Sequence, residues 1–268
     1  MVCAFGGWND AAEAATSAAT FIAAATGASR FAHLDPEDFY DFQATRPQIS
    51  LVEGEAREIT WPTVEIASAR VRRAPRDLVI VSGPEPSMRW RTFCESVIDL
   101  AEALDVQMVI SLGALLADVA HTRPVPVYGN AYDTDVMERL GLEPSGYEGP
   151  TGIVGVLHDA CRTSSMDSAS LWAAVPSYAP SMPSPKAALA LVERTTDLVG
   201  AAVGIDDLMV MTEAYEERLT ELVDEDEATA EYVTQLEEEF DSAQFDDELK
   251  LGSGDGLVEE VERYLREQ

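Results

Sequence analysis

Residues 2–27 read VCAFGGWNDAAEAATSAATFIAAATG, and this stretch has the form of a strand, a tight turn and a helix. The short apolar run ends at Gly6 and Gly7, which is typical of a buried strand that closes in a turn. The alanine-rich run from Asp10 to Ala25 follows, and Gly27 stands where a C-cap is expected. So much alanine predicts a helix that packs closely against its neighbours.

The same alternation continues along the chain. Apolar runs bounded by turn residues predict strands at 78–81, 108–112, 125–128 and 170–175. Helical spacing predicts helices at 90–104, 133–140, 152–161 and 185–199. Three β-branched segments, 49–52, 58–61 and 64–71, predict a hairpin or a small antiparallel excursion. The fold class is therefore α/β, with three layers and a mostly parallel sheet that carries helices on both faces.

The last quarter of the chain has a different character. Residues 206–268 contain 23 acidic and 4 basic residues, a net charge of −19. Two apolar stripes predict a helical hairpin, residues 243–256 predict a polar linker, and a stripe from Leu257 to Leu265 predicts a docking helix. We therefore divide the chain into an α/β domain, 1–204, and an acidic helical extension, 205–268. The acidic run is either an arm that recognises basic partners or a solvated helix face.

Charge and cysteine content restrict the setting and the partners. The chain has 49 acidic and 18 basic residues, a net charge of −31 and a pI near 4.2. Such a field disfavours nucleic acid and anionic membranes as partners. Three cysteines at unrelated spacings argue against a disulfide framework. No signal peptide or membrane span is visible, so we expect a cytoplasmic protein.

Motifs for catalysis, cofactors and metals are missing from the sequence. It contains no G-x-x-x-x-G-K-[ST] loop, no G-x-G-x-x-G after a strand, no C-x-x-C, no H-E-x-x-H and no G-x-S-x-G. We therefore expect no cofactor and no metal. No complete catalytic constellation can be assembled, so we favour a protein that binds partners over an enzyme.

One pocket can nevertheless be built from the loops after two strands. The Gly7 to Asp10 loop and the His121 to Arg123 loop should meet at one sheet edge, near the 149–155 turn. Asp10 and His121 are the candidate catalytic residues, and Arg123 is a candidate anion binder. The candidate ligand-binding residues are Gly7, Trp8, Asn9, Asp10, Gly113, His121, Arg123, Asn130, Thr151 and Gly152. The structural alternatives are an N-cap at Asp10, a histidine that fixes its loop, and an ordinary glycine turn.

Three segments carry a resemblance to a known family. They are FGGWNDA at 5–11, SLGALLADVAHTRP at 111–124 and YEGPTGIVG at 147–155. These segments resemble the bacterial, actinobacterial-type branch of the proteasome assembly chaperone 2 family, and the resemblance covers roughly residues 1–203. It implies a phosphorylase/hydrolase-like three-layer fold with a small helical appendage and self-association, with a trimer as one form. It also implies non-enzymatic binding of protein subunits, proteasome components among them.

Two functional hypotheses follow. The leading one is an assembly-chaperone-like protein that binds other subunits through sheet-edge and helical surfaces. The alternative is a phosphorylase-like or ATP-dependent ligase-like enzyme with its pocket near Asn9, Asp10, His121 and Arg123.

Overall fold

The computed structural model describes residues 1–52, 56–71, 74–142 and 144–252. Its strands are β1 (Val2–Gly6), β2 (Ser29–His33), β3 (Gln48–Val52), β4 (Ala56–Thr60), β5 (Glu65–Ala69), β6 (Leu78–Pro84), β7 (Val109–Ala117), β8 (Val127–Ala131) and β9 (Ser168–Pro176). Its helices are α1 (Ala14–Thr26), α2 (Pro36–Phe39), α3 (Trp90–Ala103), α4 (Thr134–Leu140), α5 (Ile153–Thr163), α6 (Pro185–Val199), α7 (Asp206–Asp224) and α8 (Glu227–Gly252).

Seven strands form one sheet in the order β2-β5-β6-β1-β7-β9-β8. The four central strands β6, β1, β7 and β9 pair in parallel, whereas β5 and β8 run antiparallel to their neighbours. The prediction of a mostly parallel sheet is confirmed. The direction of β8 differs from a simple strand and helix alternation, because β8 returns beside β9 as an antiparallel edge strand.

Helices cover both faces of the sheet, as predicted. On one face, α1 and α6 pack over the even-numbered side chains of β1 and β7, such as Ala4 and Leu112. On the other face, α3 and α5 pack over odd-numbered side chains, such as Cys3 and Val109. Four alanines of α1 are fully buried, so this helix approaches the sheet closely, as its composition predicts. The residues are Ala14, Ala15, Ala18 and Ala19.

The first helix begins later than the sequence predicts. A 3-10 turn, Ala11–Glu13, precedes α1, and Ala12 and Glu13 adopt left-handed φ angles of 50° and 54°. Such angles are unfavourable for residues other than glycine, so the turn needs support from its surroundings. That support comes from Asp10, described below.

The acidic segment forms a helical hairpin, as predicted. α7 and α8 bury one side each in a small cluster with the α/β body, formed by Ala120, Ala179, Tyr215, Leu219, Val223, Val233 and Leu236. α8 continues to Gly252, where the sequence predicted a linker from residue 243. The predicted docking helix at 257–265 lies outside the described residues. No helix in the described part of the chain combines the length and apolar composition that crossing a bilayer requires.

Candidate functional site

The loop that follows β1 is held against β7. After Gly6 the chain bulges outward and returns at Asp10, which bridges Ala114 in parallel. The backbone N–H of Ala114 donates to the carbonyl of Asn9 at 2.8 Å. Gly7 has a φ of 128°, which a residue with a side chain rarely adopts, so the bulge requires glycine there. The loop therefore occupies a fixed position at the carboxyl edge of the parallel strands.

A carboxylate beneath this loop joins three elements. Oε1 of Glu85, just after β6, accepts from Nδ2 of Asn9 at 2.7 Å and from the backbone N–H of Ile153 at 2.8 Å. A negative charge at the start of α5 is favoured by the helix dipole. A Cβ atom on Gly152 would stand 2.4 Å from the Asn9 amide, so only glycine fits there. Asn9 is fully buried, and its Oδ1 has no partner among the described residues.

A large cleft opens beside the contacts that Glu85 makes with Asn9 and Ile153. We call it the strand-end cleft. It has a volume of 1440 Å³ and lies between the Gly7 loop, the ends of β7 and β9, strand β8, the start of α5 and the segment before it. Its lining includes five aromatic side chains, which are Trp8, Tyr128, Tyr132, Tyr147 and Trp172. Trp8 and Tyr147 are 63% and 66% exposed, so much of this aromatic surface faces solvent.

The strand-end cleft is also lined by polar groups. They include Asn130, His158 and Arg194. The Arg194 guanidinium donates to the carbonyl of Leu140 at 2.9 Å, and this bond ties the cleft wall to the end of α4. His158 is 5% exposed and packs against the Tyr132 ring with centroids 4.5 Å apart. Burial lowers the pKa of His158, which keeps the imidazole neutral at physiological pH.

Asp10 uses its carboxylate to support the start of α1. Oδ1 accepts from the backbone N–H groups of Ala15 at 2.6 Å and Thr16 at 3.3 Å, while Oδ2 accepts from the Thr16 hydroxyl. Burial raises the pKa of Asp10, and these donors partly offset the effect. The side chain thus caps orphan helix N–H groups and holds the left-handed turn before α1.

His121 lies against the acidic helices rather than in the strand-end cleft. Its backbone N–H donates to the Tyr178 hydroxyl at 2.8 Å, and Nδ1 shares a 2.8 Å hydrogen bond with that hydroxyl. Nε2 lies 2.9 Å from Oγ1 of Thr220, whose hydroxyl donates to the Glu216 carbonyl. Because that hydroxyl proton is already used, Thr220 accepts from an Nε2–H group of His121. Burial, and next the Lys186 ammonium, lower the pKa of His121.

Arg123 binds the second acidic helix. Its Nε and Nη2 donate to the two carboxylate oxygens of Asp241 at 2.8 and 2.7 Å, and Nη1 lies 3.4 Å from Oε1 of Glu237. This fork geometry is the strong form of a charged hydrogen bond. We call residues 118–123 the latch loop, because Tyr232 of α8 also donates to Asp118 at 2.7 Å.

The structure separates residues that the sequence predicted to converge. Gly7, Trp8, Asn9, Asn130 and Thr151 line the strand-end cleft. Gly152 packs behind Asn9, and Gly113 lies under the Trp172 ring. Asp10 contacts the start of α1, His121 contacts α7 and Arg123 contacts α8. These three residues therefore do not form one pocket with Asn9.

The reason for this separation is the length of β7. Gly113 was interpreted as the end of that strand, but β7 continues to Ala117 and carries the latch loop past the Gly7 loop to α7 and α8. Sequence reasoning also missed Glu85 and the tyrosines of the cleft. The signal for Glu85 was available, because it follows a strand end at the same sheet edge.

Comparison with known proteins gives matches over most of the chain. The model of the PAC2 family matches residues 4–223. The crystal structure of a PAC2 family protein from Streptomyces avermitilis is 47% identical, with a TM-score of 0.82, and the match covers 87% of this chain and 98% of that one. The proteasome-assembly chaperone homologue of Mycobacterium tuberculosis is 45% identical, with a TM-score of 0.79 and the same coverage.

A more distant neighbour shares only the fold. PbaB of Pyrococcus furiosus, an archaeal proteasome activator, is 17% identical with a TM-score of 0.65, and the match covers 82% of this chain and 92% of that one. No curated protein matches the chain.

Proposed function

The chain belongs to the PAC2 family, and from this membership we propose that it acts as an assembly-chaperone-like protein, which forms homo-oligomers, a trimer among them, and binds protein subunits, including those of proteasomes. In this proposal the α/β domain, 1–204, provides self-association. The acidic extension, 205–268, recognises the partner. Binding of this kind requires no covalent bond to be made or broken.

One observation supports this proposal above the others. The sequence offered three side chains for the alternative enzymatic site, and they are Asp10, His121 and Arg123. Their polar atoms form hydrogen bonds that hold helices in place. Large apolar side chains are instead left facing solvent, and aromatic residues are the ones enriched at the centres of protein interfaces. Trp8, Tyr128 and Tyr147 are more than half exposed.

The acidic extension supports the choice of a basic surface as partner. It carries a net charge of −19, and Asp224, Glu225 and Glu227 lie exposed at the tip of the hairpin. The latch loop neutralises only a few of the carboxylates, at Glu237 and Asp241. A dense, exposed negative surface speeds the approach of a basic partner, and the binding weakens as salt is added.

The test combines capture with a matched pair of variants. Purified proteasome α subunits are mixed with the chain, and binding is measured at several ionic strengths. Neutralising the tip with Asp224→Asn, Glu225→Gln and Glu227→Gln should weaken capture. The same charge change on the exposed face of α3, with Glu95→Gln, Asp99→Asn and Glu102→Gln, should leave it unchanged. Absence of capture, together with a monomeric mass by analytical ultracentrifugation, contradicts the proposal.

A second candidate function rests on the strand-end cleft. Asn9 Oδ1 and His158 Nε2 are buried and have no partner among the described residues, which is a feature of sites that await a polar ligand. A phosphorylase-like or ligase-like enzyme would bind a nucleoside or nucleotide here, with Asn130 nearby rather than His121 and Arg123. A ligand at 100 times its dissociation constant adds ~2.7 kcal/mol to the unfolding free energy. A thermal-shift panel without any response removes this candidate.

A further inference from the structure

Two buried polar atoms of the strand-end cleft point to the chemistry of a ligand. Oδ1 of Asn9 and Nε2 of His158 have no hydrogen-bond partner among the described residues. Asn9 is fully buried, His158 is 5% exposed, and both residues line the cleft. Burial of a polar atom without a hydrogen bond costs free energy, so we expect each atom to find its partner in a molecule bound there.

The surroundings of Asn9 determine which of its amide atoms is free. A carboxylate oxygen such as Oε1 of Glu85 can only accept, so the Asn9 atom 2.7 Å from it is the NH2 group, Nδ2. The free atom is therefore Oδ1, which is also only an acceptor. Because Nδ2 donates to a charged group, the amide is polarised and Oδ1 becomes a stronger acceptor. The ligand must bring a hydrogen-bond donor to this atom.

His158 can provide a second acceptor. Burial lowers the pKa of His158, so the ring is neutral at physiological pH. In a neutral imidazole, Nε2 accepts when Nδ1 carries the proton. The ring is held by Tyr132, with ring centroids 4.5 Å apart. The loop after β1 and helix α5 thus each present one buried polar atom without a partner.

The start of α5 is not free to bind a phosphate. Helix N-termini attract anions, but the backbone N–H of Ile153 already donates to Oε1 of Glu85 at 2.8 Å. Within the part of the chain that the structure describes, no ion pair involves Glu85. Its negative charge next to Asn9 repels an anionic ligand and attracts a cationic one.

The remaining charges do not reverse this preference. The charged side chains that line the cleft in the described structure are Asp159 and Arg194, and their charges cancel. The chain as a whole has a net charge of −31. A field of this sign raises the local concentration of cations in a cleft.

Exposed aromatic rings in the same cleft add a preference for a flat cation. Trp8 directly precedes Asn9 in the chain and is 63% exposed, and Tyr128 is 54% exposed. The faces of such rings attract cations, and those of tryptophan do so most strongly. A guanidinium group is planar, stacks on aromatic rings, carries several N–H donors and is less strongly hydrated than an ammonium group. It therefore meets the requirements of both the acceptors and the rings.

We propose that the strand-end cleft binds a guanidinium group, which donates to Oδ1 of Asn9 and Nε2 of His158 and stacks on Trp8. Glu85 is a positioning residue that acts through Asn9. The group belongs either to a small molecule of the agmatine type or to an arginine side chain of a protein. This inference goes beyond the proposed function, because it concerns the α/β domain alone and requires neither self-association nor the acidic extension.

The test is a calorimetric titration of the full chain with a matched pair of probes. They are N-acetylarginine amide and N-acetylcitrulline amide, which have nearly the same shape but differ in charge. The arginine probe should bind at least about tenfold more tightly. Adenosine and AMP complete the panel. The inference is wrong if no probe binds, if both matched probes bind equally, or if adenosine or AMP binds more tightly than the arginine probe.

Three variants locate the binding. Trp8→Ser should weaken binding of the arginine probe about three- to thirtyfold. His158→Phe keeps a ring against Tyr132 but removes the acceptor, and should weaken binding about tenfold or more. Glu85→Gln keeps an oxygen acceptor for Asn9 and removes the charge, so it should weaken binding of the arginine probe and leave the citrulline probe unaffected.

Matched controls separate these effects from general ones. Phe31→Ser in β2 and Glu102→Gln in α3, both at exposed positions, should leave binding unchanged. Melting temperatures verify that each variant keeps the fold. Trp8 is exposed, so its variant remains informative if His158→Phe does not fold. Wild-type affinity in both Trp8→Ser and Glu85→Gln contradicts the inference.

A comparison of agmatine with a blocked Gly-Gly-Arg-Gly-Gly peptide identifies the source of the group. A peptide that binds about tenfold or more tightly than agmatine supports an arginine side chain of a protein, and the reverse order supports a small molecule. Failure to capture proteasome subunits contradicts the proposed function and leaves these affinities unchanged, so the two failures are distinguishable.

Discussion

Nε2 of His121 lies 2.9 Å from Oγ1 of Thr220, 99 residues further along the chain, and this bond joins the α/β body to the first acidic helix. His121 is 3% exposed, and its other ring nitrogen meets the Tyr178 hydroxyl. The histidine therefore fills a polar junction in which every ring nitrogen has a partner.

Replacement of this histidine should loosen the hairpin. His121→Ala leaves the half-buried Tyr178 hydroxyl and the Thr220 hydroxyl with one partner fewer and opens a small void where the buried imidazole stood. We expect a loss of about 2–3 kcal/mol in the free energy of unfolding, measured by urea denaturation, and faster hydrogen exchange in α7. His33→Ala, at an exposed position in β2, is the control and should change stability by less than about 0.5 kcal/mol. If His121→Ala and His33→Ala change stability equally, His121 does not stabilise the contact between the α/β body and the hairpin.

The junction should also respond to pH. Because burial and the Lys186 ammonium lower the pKa of His121, despite the opposing carboxylates of Glu216 and Glu237, the unfolded chain binds more protons near that pKa. The free energy of unfolding should therefore fall as the pH drops below about 6.5. His121→Gln removes the titrating group, so its curve between pH 6.5 and 5 should be flatter than that of wild type. A His121→Gln curve as steep as that of wild type over this range contradicts the prediction.

The Asp10 carboxylate caps α1, so its replacement should lower the stability of the protein. Asp10→Ala removes the acceptor for the Ala15 and Thr16 backbone N–H groups, at a cost of about 1–2 kcal/mol by thermal or urea unfolding. Asp10→Asn retains an acceptor and should cost less. Asp99→Ala, at an exposed position on α3, should be nearly neutral. A stability unchanged by Asp10→Ala shows that the carboxylate does not cap the helix.

The close approach of Gly152 to Asn9 gives a steric prediction. A methyl group at residue 152 forces the Asn9 amide away from Glu85, so Gly152→Ala should destabilise the protein by about 1–3 kcal/mol. Gly204→Ala is the matched control, since a Cβ there meets no atom within 4 Å. Differential scanning calorimetry of the two variants compares the effects, and equal melting temperatures refute the steric argument.

The fork between Arg123 and Asp241 predicts a change in the docking of α8. Arg123→Met should speed hydrogen exchange in α8, and Asp241→Asn should have the same effect, because both remove the two-bond contact. Added salt should reduce the difference from wild type, since exposed charges are screened. Arg218→Met, which breaks an i,i+3 pair within α7, should leave exchange in α8 unchanged.

The sequence was sufficient for elements whose ends carry local signals. α6 was predicted to the residue because Ser184 caps it, Pro185 begins it and Gly200 ends it with a φ of 65°. The four parallel strands were recognisable as short apolar runs beside turns. The exposed strand β2 and the four-residue α2 were missed, because neither shows an apolar pattern.

Long-range contacts could not be predicted in the same way. The antiparallel direction of β8 depends on the path of the chain after the latch loop, which composition does not encode. His121 and Arg123 have partners in helices about 100 residues later in the chain. The sequence around a polar residue does not show whether its partner is a ligand or a distant threonine. Asn9 and Thr151 line the strand-end cleft and stay candidates for binding a ligand, whereas the sequence could not assign the latch loop to the acidic helices.

The position of β1 between β6 and β7 affects how the protein emerges during synthesis. Val2 pairs with Ile80 on one side and Ile110 on the other. At about 5–20 residues translated per second, on the order of ten seconds separate the exit of β1 from the ribosome and the arrival of both neighbours. The central strand of the sheet is therefore synthesised before both of its neighbours, and its apolar side chains cannot be buried in the sheet until β6 and β7 follow. During that interval the nascent chain exposes an apolar segment of the kind that promotes aggregation.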